Sequence, residues 1–271
     1  MIDNNIFLTI VVSVYNEELS LLKFHKELSN EINKNDFTTE ILYVNDGSFD
    51  SSAKILENIS SSEKSVKIIS FSRNYGHEAA MIAGIDNAVG TYIICLDADL
   101  QHPPSLISKM VAKAKEGADL VLMKRQTRKD GNIFLRLFSK LFYKLINSIS
   151  PFNFENNASD FFLISNKISN VLRNDFRERI RFLRGYIQLV GFKKHNIFYD
   201  APERFDGKSK YDFRSLVSLS TKAITSFSKL PLKLGISIGL IGLVLSLLIG
   251  GYSLLMYFFD GTKIVVPCYA A

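Results

Sequence analysis

Short apolar runs rich in β-branched residues alternate with longer segments of helical periodicity along the first 125 residues of the chain. Such runs predict strands when turn residues border them. The predicted strands are Ile6–Val14, Glu40–Asn45, Val66–Phe71, Tyr92–Leu96 and Leu120–Met123, and the predicted helices are Glu17–Asn33, Ser52–Ile59, Glu78–Ala88 and Pro104–Lys115. Strands separated by helices predict an α/β fold with a doubly wound, mainly parallel sheet.

A second pattern is an uncharged run of 26 residues, from Leu234 to Phe259. At about 1.5 Å per residue, a helix of this length crosses a hydrocarbon core of about 30 Å, so the run predicts a transmembrane helix. Lys222, Lys229 and Lys233 precede it. The positive-inside rule therefore predicts that the large N-terminal part lies in the cytoplasm, on the inner face of the plasma membrane.

Residues 212–228 alternate apolar and polar side chains at roughly helical spacing. This spacing is typical of an interfacial helix on the bilayer and equally of an amphipathic helix packed on the domain. The predicted organisation is a cytoplasmic domain over 1–210, a juxtamembrane amphipathic segment over 211–233, a transmembrane helix over 234–259 and a short tail over 260–271.

The net charge of +6 is unevenly distributed along the chain. Residues 1–119 carry 10 Lys/Arg and 17 Asp/Glu, whereas residues 120–233 carry 22 and 9. An acidic half suits a metal ion, and a basic half suits phosphates or an anionic membrane surface. Nucleic acid is not an expected partner, because no recognisable stacking platform accompanies the basic residues.

The two cysteines, Cys95 and Cys268, imply no disulfide framework and fit a reducing compartment.

Polar residues follow the predicted strands, and ligands bind at that edge of a doubly wound sheet. Asp97, Asp99 and Gln101 come directly after an apolar strand, and oxygen ligands at this density suit Mg²⁺ or Mn²⁺. Asp99 could instead cap the helix that begins near Pro103 and Pro104. No Gly-rich phosphate loop follows the first strand, which argues against a dinucleotide-binding Rossmann enzyme and a P-loop NTPase.

Four ordered motifs then identify a resemblance. They are Val11–Glu18 (VVSVYNEE), Val44–Asp50 (VNDGSFD), Ser72–His77 (SRNYGH) and Asp97–Pro104 (DADLQHPP). Together they resemble family-2 glycosyltransferases, and more narrowly dolichol-phosphate-mannose synthases and bactoprenol glucosyltransferases. The resemblance continues through Glu178–Gly185 and Gly207–Tyr211 into the apolar run, so it covers nearly the whole chain. It implies a GT-A fold.

The resemblance also implies roles for individual residues. Tyr15, Asn16, Glu17, Asp46 and Asp97 are implied to bind the nucleotide-sugar donor. Asp97, Asp99 and Gln101 match the motif for the metal and diphosphate, and Arg125, Arg136 and Ser139 fall in the acceptor loop. Arg204 and Lys210 flank the segment expected to close over phosphates, and Arg is suited to this because its planar fork meets two phosphate oxygens.

Asp160 matches the position often assigned as catalytic base. A phosphate monoester has a second pKa of about 6 and is already a competent nucleophile at neutral pH. We therefore expect Asp160 to be important without committing it to proton abstraction. A helix cap is the structural alternative.

The implied reaction is an inverting transfer of a sugar from a nucleotide-sugar donor to undecaprenyl or dolichyl phosphate at the cytoplasmic membrane face, for cell-surface glycan modification. UDP-glucose is the expected donor, since the apolar run and Glu178–Gly185 look bacterial and bactoprenol-like. Mannose, a hexosamine and an aminoarabinose derivative are the alternative sugars, because they would need only a few changes in the pocket. Transfer to a glycan or protein is an alternative, although the chain lacks the Trp of a processive acceptor motif. A non-catalytic membrane-anchored assembly protein is another, and homo-oligomers are compatible with all three.

Two features depart from the family pattern. Val14 replaces the usual Pro of the first motif, and Leu189 occupies a position where an aromatic residue is common. Neither position supplies a reactive group. Bactoprenol-type relatives usually continue into a second transmembrane helix, whereas this chain ends 12 residues after Phe259, so the tail is interpreted as truncated or as a single-span variant.

Overall fold

The computed structural model describes residues 6–126, 158–176, 183–200, 202 and 230–260. By contacts the chain divides into two compact units, Met1–Ser226 and Phe227–Ala271. In the first unit the strands are β1 (Leu8–Val14), β2 (Thr39–Asn45), β3 (Val66–Ser70), β4 (Tyr92–Asp97), β5 (Leu120–Arg125), β6 (Ala158–Ser165) and β7 (Lys194–Tyr199). Its helices are α1 (Leu21–Ile32), α2 (Ser52–Ser62), α3 (His77–Asn87), α4 (Ile107–Lys115), α5 (Asn166–Asn174) and α6 (Leu183–Leu189), and a 3₁₀ turn (Pro104–Leu106) precedes α4.

The seven strands form one sheet in the order β3-β2-β1-β4-β6-β5-β7. Among the described strands, β6 alone runs antiparallel to its neighbours. The doubly wound, mainly parallel sheet predicted from the alternation of strands and helices is therefore confirmed. In such a sheet, all the residues that follow parallel strands come to one edge.

The pairing register aligns the ends of these strands. Ser13 of β1 is opposite Asp97 of β4, Arg125 of β5 is opposite Tyr199 of β7, and Lys124 of β5 is opposite the first residue of β6. The ends of β4, β5 and β7 and the start of β6 consequently meet at one edge of the sheet.

The five predicted strands are confirmed, with small shifts at their ends. The first helix begins at Leu21 instead of Glu17, because residues 17–20 form a turn in which Leu21 N–H donates to Glu17 O at 2.9 Å. β6 and β7 are not among the predicted strands. The amphipathic segment predicted over 212–228 lies outside the described residues.

Close packing joins α3 to the centre of the sheet. Every residue of β1 is buried, and a Cβ atom added at Gly84 would lie 2.1 Å from Val11 Cγ1. Any larger side chain at Gly84 would push α3 away from β1. The N-terminus of α3, where His77 lies, is thereby fixed close to the functional edge of the sheet.

The second unit contains one described helix, α7 (Leu230–Asp260). Its segment Leu232–Phe259 has a mean hydropathy of 2.3 and none of it is buried, so its length and composition make it a candidate membrane span. At about 1.5 Å per residue it is longer than a hydrocarbon core of about 30 Å. The helix includes the predicted run Leu234–Phe259, while the remaining domain boundaries stay predictions.

Candidate active site

The end of β4 carries a cluster of polar side chains in which two carboxylates flank one histidine. Ser13 Oγ donates a hydrogen bond to Asp97 Oδ1 at 2.7 Å and lies 3.0 Å from His77 Nδ1. His77 Nδ1 is 3.3 Å from Asp97 Oδ1, and His77 Nε2 is 3.5 Å from Asp160 Oδ2. The histidine thus brings together two predicted site residues that are far apart in the sequence.

Asp160 lies in the strand β6, so the helix-cap alternative is wrong. Its side chain is about one-fifth exposed, and that of Asp97 about one-quarter. Both carboxylates therefore remain accessible from the edge of the sheet while their partners fix their orientation.

The segment after β4 turns sharply at Leu100, whose φ is +62°. Non-glycine residues rarely adopt this conformation, and such backbone strain clusters at functional sites. Asp99 Oδ1 accepts a hydrogen bond from Gln101 N at 3.0 Å across this turn. The following 3₁₀ turn has Pro103 as its N-cap, without a capping side chain, so Asp99 is not the helix cap.

His102 packs beneath this segment and is almost completely buried. Its ring stacks on Phe161, with centroids 5.3 Å apart and an interplanar angle of 27°. Burial lowers the pKa of His102, although Asp97 and Asp99 oppose the shift. A neutral imidazole also agrees with the hydrogen bond that Asp97 N–H donates to His102 Nδ1 at 3.0 Å.

Arg125 ends β5 at the same edge. Its Nη2 lies 3.4 Å from Gln101 Oε1, and its Nε lies 3.4 Å from Tyr199 Oη. The structure therefore brings the predicted acceptor cation next to the predicted diphosphate motif. Arg136, Ser139, Arg204 and Lys210, which were predicted from the same resemblance, lie outside the described residues.

Asp46, at the end of β2, anchors the loop that precedes α3. Its carboxylate accepts hydrogen bonds from Tyr75 N at 2.7 Å, Gly76 N at 3.0 Å and Asn74 Nδ2 at 3.0 Å. Burial raises the pKa of Asp46, and the two backbone N–H groups oppose that shift. Because these partners are all donors, the contacts favour the ionised carboxylate. His77 follows Gly76 directly, so Asp46 also positions the histidine of the neighbouring cluster.

We expect Asp46→Asn to destabilise the fold. Asparagine has one acceptor oxygen, and its amide group would face the N–H groups that now donate to the carboxylate. Leaving a buried donor unsatisfied costs about 1–3 kcal/mol, which should be measurable as a lower thermal unfolding midpoint of the full chain in detergent. Asp36→Asn, which neutralises an exposed aspartate, is the matched control and should leave the midpoint unchanged. Equal midpoints for both variants would contradict the anchoring role.

Tyr15, Asn16 and Glu17 lie after β1, next to the loop that follows β2. Asn16 has a φ of +53°, and its N–H donates to Ser48 Oγ at 3.0 Å while its Oδ1 accepts from Phe49 N at 2.9 Å. The rings of Tyr15 and Phe49 meet edge to face, with centroids 6.4 Å apart. Glu17 N–H donates to the Ser52 hydroxyl at 2.9 Å, which ties this segment to the start of α2.

The predicted residues thus form two neighbouring groups at one edge of the sheet. Tyr15, Asn16, Glu17 and Asp46 belong to the first group, and Asp97, Asp99, Gln101, Arg125 and Asp160 to the second. The sequence interpretation missed Ser13, His77, His102 and Tyr199, which contact the second group. It also missed Ser159, which contacts His102 and Tyr199. His77 and His102 are within the motifs that carry the resemblance, whereas no sequence signal marks Tyr199.

The chain is similar in sequence to a protein family and to individual proteins, two of which follow. Residues 9–173 match the family described as Glycosyl transferase family 2. The uncharacterised glycosyltransferase YkcC of Bacillus subtilis is 39% identical over 86% of this chain and 72% of its own length. The bactoprenol glucosyl transferase of Shigella phage SfX is 35% identical over 92% of this chain and 81% of its own length.

Two solved structures share the fold. Glucosyl-3-phosphoglycerate synthase from Mycobacterium tuberculosis, solved with Mn²⁺, UDP and phosphoglyceric acid, has a TM-score of 0.54 at 15% identity, over 80% of this chain and 76% of that one. Mannosyl-3-phosphoglycerate synthase from Rubrobacter xylanophilus has a TM-score of 0.53 at 14% identity, over 81% and 72%. These identities establish the fold alone, which confirms the expected GT-A architecture. The family match and the sequence relatives above lead to one assignment: the chain belongs to glycosyl transferase family 2 and is a glycosyltransferase.

Proposed function

We propose that this glycosyltransferase transfers glucose from UDP-glucose to a polyprenyl phosphate at the cytoplasmic face of a membrane. The observation that carries the proposal is the 35% identity to bactoprenol glucosyl transferases, which extends over 92% of the chain. The candidate span α7 agrees with a lipid acceptor. The basic residues between 120 and 233 suit an anionic acceptor at a membrane surface.

The donor set at the end of β4 fits a hard divalent cation. Asp97 and Asp99 offer carboxylate oxygens and Gln101 a carboxamide oxygen, which are the ligand types that Mg²⁺ and Mn²⁺ prefer. No group of three or more His, Cys, Asp or Glu suited to a metal occurs among the described residues. The protein would therefore provide part of the coordination shell, and the donor diphosphate the rest.

The M. tuberculosis relative solved with Mn²⁺ and UDP supports this assignment, and we propose Mg²⁺ or Mn²⁺ as the cofactor. When bound, the cation neutralises the charge that develops on the departing diphosphate.

The transfer we propose is a single in-line displacement. A phosphate oxygen of the lipid forms a bond to the anomeric carbon, and the bond from that carbon to the UDP oxygen breaks, which inverts the anomeric centre. Asp160 orients the acceptor. It does not have to remove a proton, because a phosphate monoester is already ionised at neutral pH. Arg125 binds the acceptor phosphate with its planar fork, and Tyr15 and Asp46 border the nucleotide.

The proposal predicts a lipid-linked sugar. Membranes containing the full chain, supplied with labelled UDP-glucose, Mg²⁺ or Mn²⁺ and undecaprenyl phosphate, should place the label in the organic phase. Chelation with EDTA should abolish the transfer, and Mn²⁺ should restore it. Undecaprenol, which lacks the phosphate, is the matched control and should accept no sugar.

Other donors and acceptors test the details of the proposal. Replacing UDP-glucose by GDP-mannose or UDP-N-acetylglucosamine in the same assay tests which sugar is transferred. Replacing undecaprenyl phosphate by dolichyl phosphate tests which lipid accepts it. Absence of a lipid product with every donor would contradict the proposed function. Equal transfer to undecaprenol would contradict the phosphate acceptor.

A further inference from the structure

A chain of hydrogen bonds runs beneath the active site and connects the ends of four strands. We call it the relay, and it comprises the Asp97 amide, His102, Ser159, Tyr199 and Arg125. The successive distances are 3.0 Å from Asp97 N to His102 Nδ1, 2.9 Å from His102 Nε2 to Ser159 Oγ, 3.2 Å from Ser159 Oγ to Tyr199 Oη and 3.4 Å from Tyr199 Oη to Arg125 Nε. One end of the relay is the diphosphate motif and the other is the acceptor cation.

The direction of each hydrogen bond follows from its first donor. A backbone amide can only donate, so His102 Nδ1 accepts from Asp97 N–H and the ring proton lies on Nε2. Nε2–H then donates to Ser159 Oγ, which also accepts from Phe161 N–H at 3.2 Å. With its oxygen accepting twice, Ser159 directs its hydroxyl proton towards Tyr199 Oη.

Tyr199 Oη consequently accepts from two donors, the Ser159 hydroxyl and Arg125 Nε–H. Arg125 Nη2 also lies 3.5 Å from His102 Nε2, but both atoms carry protons in this arrangement, so this approach is a contact between two donors. The tyrosine oxygen is therefore the relay's acceptor for the arginine. It fixes the Nε edge of the guanidinium, while Nη2 extends towards Gln101 Oε1 at 3.4 Å.

The three middle members of the relay are buried. His102 is 1% exposed, Tyr199 5% and Ser159 8%. Phe161 stacks on His102 and meets Tyr199 edge to face, with centroids 6.1 Å apart. Hydrogen bonds in such a low-dielectric setting are stronger than in water, and linked ones reinforce each other.

We propose that Tyr199 is a positioning residue that orients Arg125 for the acceptor phosphate. The proposal rests on the function proposed above, in which Arg125 contacts the lipid phosphate. A guanidinium fixed through Nε needs less ordering when the phosphate binds, so the benefit should appear in acceptor binding. Among the described residues, Tyr199 contacts none of the side chains predicted to bind the donor, so donor binding should be affected much less.

Tyr199→Phe tests this inference, because it removes the acceptor oxygen and keeps the ring against Phe161. In the full chain in membranes, we expect the KM for undecaprenyl phosphate to rise about fivefold to tenfold, the size expected for the loss of one typical hydrogen bond. The KM for UDP-glucose and kcat should change less than about twofold. Ser159→Ala, which removes the preceding donor, should raise the same KM.

Tyr43→Phe is the matched control. Tyr43 is also a buried tyrosine, hydrogen-bonded to His25 at 2.9 Å and unconnected to the relay, so its variant reports the effect of losing a buried hydroxyl alone. A double-mutant cycle with Arg125→Lys completes the test, since lysine has no Nε–H edge to position. We expect Tyr199→Phe to have no further effect on the acceptor KM in that background.

The outcomes separate the inference from the function on which it rests. An unchanged acceptor KM in an active Tyr199→Phe enzyme would overturn the inference, and so would an equal effect of Tyr199→Phe with and without Arg125→Lys. A parallel rise for Tyr43→Phe would assign the effect to lost stability and overturn it as well. A wild type that is inactive with every lipid phosphate would overturn the proposed function, and with it this inference.

Discussion

Asp99→Asn is expected to reduce transfer by about 10²–10³-fold, the loss typical of removing one electrostatic group that stabilises the transition state. Asp99 is 7% exposed and follows the strand β4 by two residues, next to the strained turn at Leu100. Asparagine preserves the shape of the side chain and removes its charge. The concentration of Mn²⁺ that gives half the maximal rate should rise together with the loss of kcat, which steady-state kinetics would measure.

The control for this variant is again Asp36→Asn, which removes the same charge from an exposed position. It should leave both kinetic quantities unchanged. Membrane attachment and the unfolding midpoint of Asp99→Asn should match those of the wild type, because the substitution leaves the candidate span intact. Undiminished turnover in Asp99→Asn would refute the metal-binding role of Asp99.

Gly47→Ala should destabilise the protein strongly. Gly47 has a φ of +67°, and an added Cβ would lie 2.4 Å from Arg73 C and 2.7 Å from Asn74 N, both backbone atoms. The loop that Asp46 anchors would have to move, and His77 would move with it. We expect a loss of about 2–4 kcal/mol, or about 5–10 °C in the unfolding midpoint, and a higher KM for the nucleotide sugar.

Gly191→Ala separates steric overlap from backbone strain. Gly191 has nearly the same φ, +69°, but its added Cβ would have no neighbour closer than 3.9 Å. Only the cost of a left-handed alanine should remain, about 1 kcal/mol, with no change in the KM for the donor. Equal losses of unfolding free energy for the two variants would mean that the backbone at Arg73 and Asn74 moves aside without destabilising the fold.

The parallel half of the sheet was predictable because its strands follow a local rule. β1, β2 and β4 are buried apolar runs bordered by polar turns, a pattern that is visible in any short window. β6 combines a polar start at Ser159 with four consecutive apolar residues, and β7 begins with two exposed residues at the sheet edge. Their strand state depends on pairing with β4 and β5, which no local window contains.

The candidate site also has a part that was predictable from the sequence and a part that was not. The carboxylates Asp46, Asp97 and Asp99 follow strands, so topology alone predicts their common location. The partners that orient them come from distant segments, as His77 does between Asp97 and Asp160. Contacts of this kind depend on the side-chain directions of a packed sheet, which spacing along the sequence does not encode. The predicted roles of Arg136, Ser139, Arg204 and Lys210 remain predictions.

The antiparallel direction of β6 has a consequence for the connection that precedes it. Because β6 runs against β5, the end of β5 and the start of β6 lie at the same edge of the sheet, with Ala158 opposite Lys124. The two ends of the connection between β5 and β6 therefore lie close together, and the entropy of closing a connection grows only slowly with its length. We therefore expect the sequence between β5 and β6, which contains the predicted acceptor residues Arg136 and Ser139, to tolerate changes in length without a shift of the strand register.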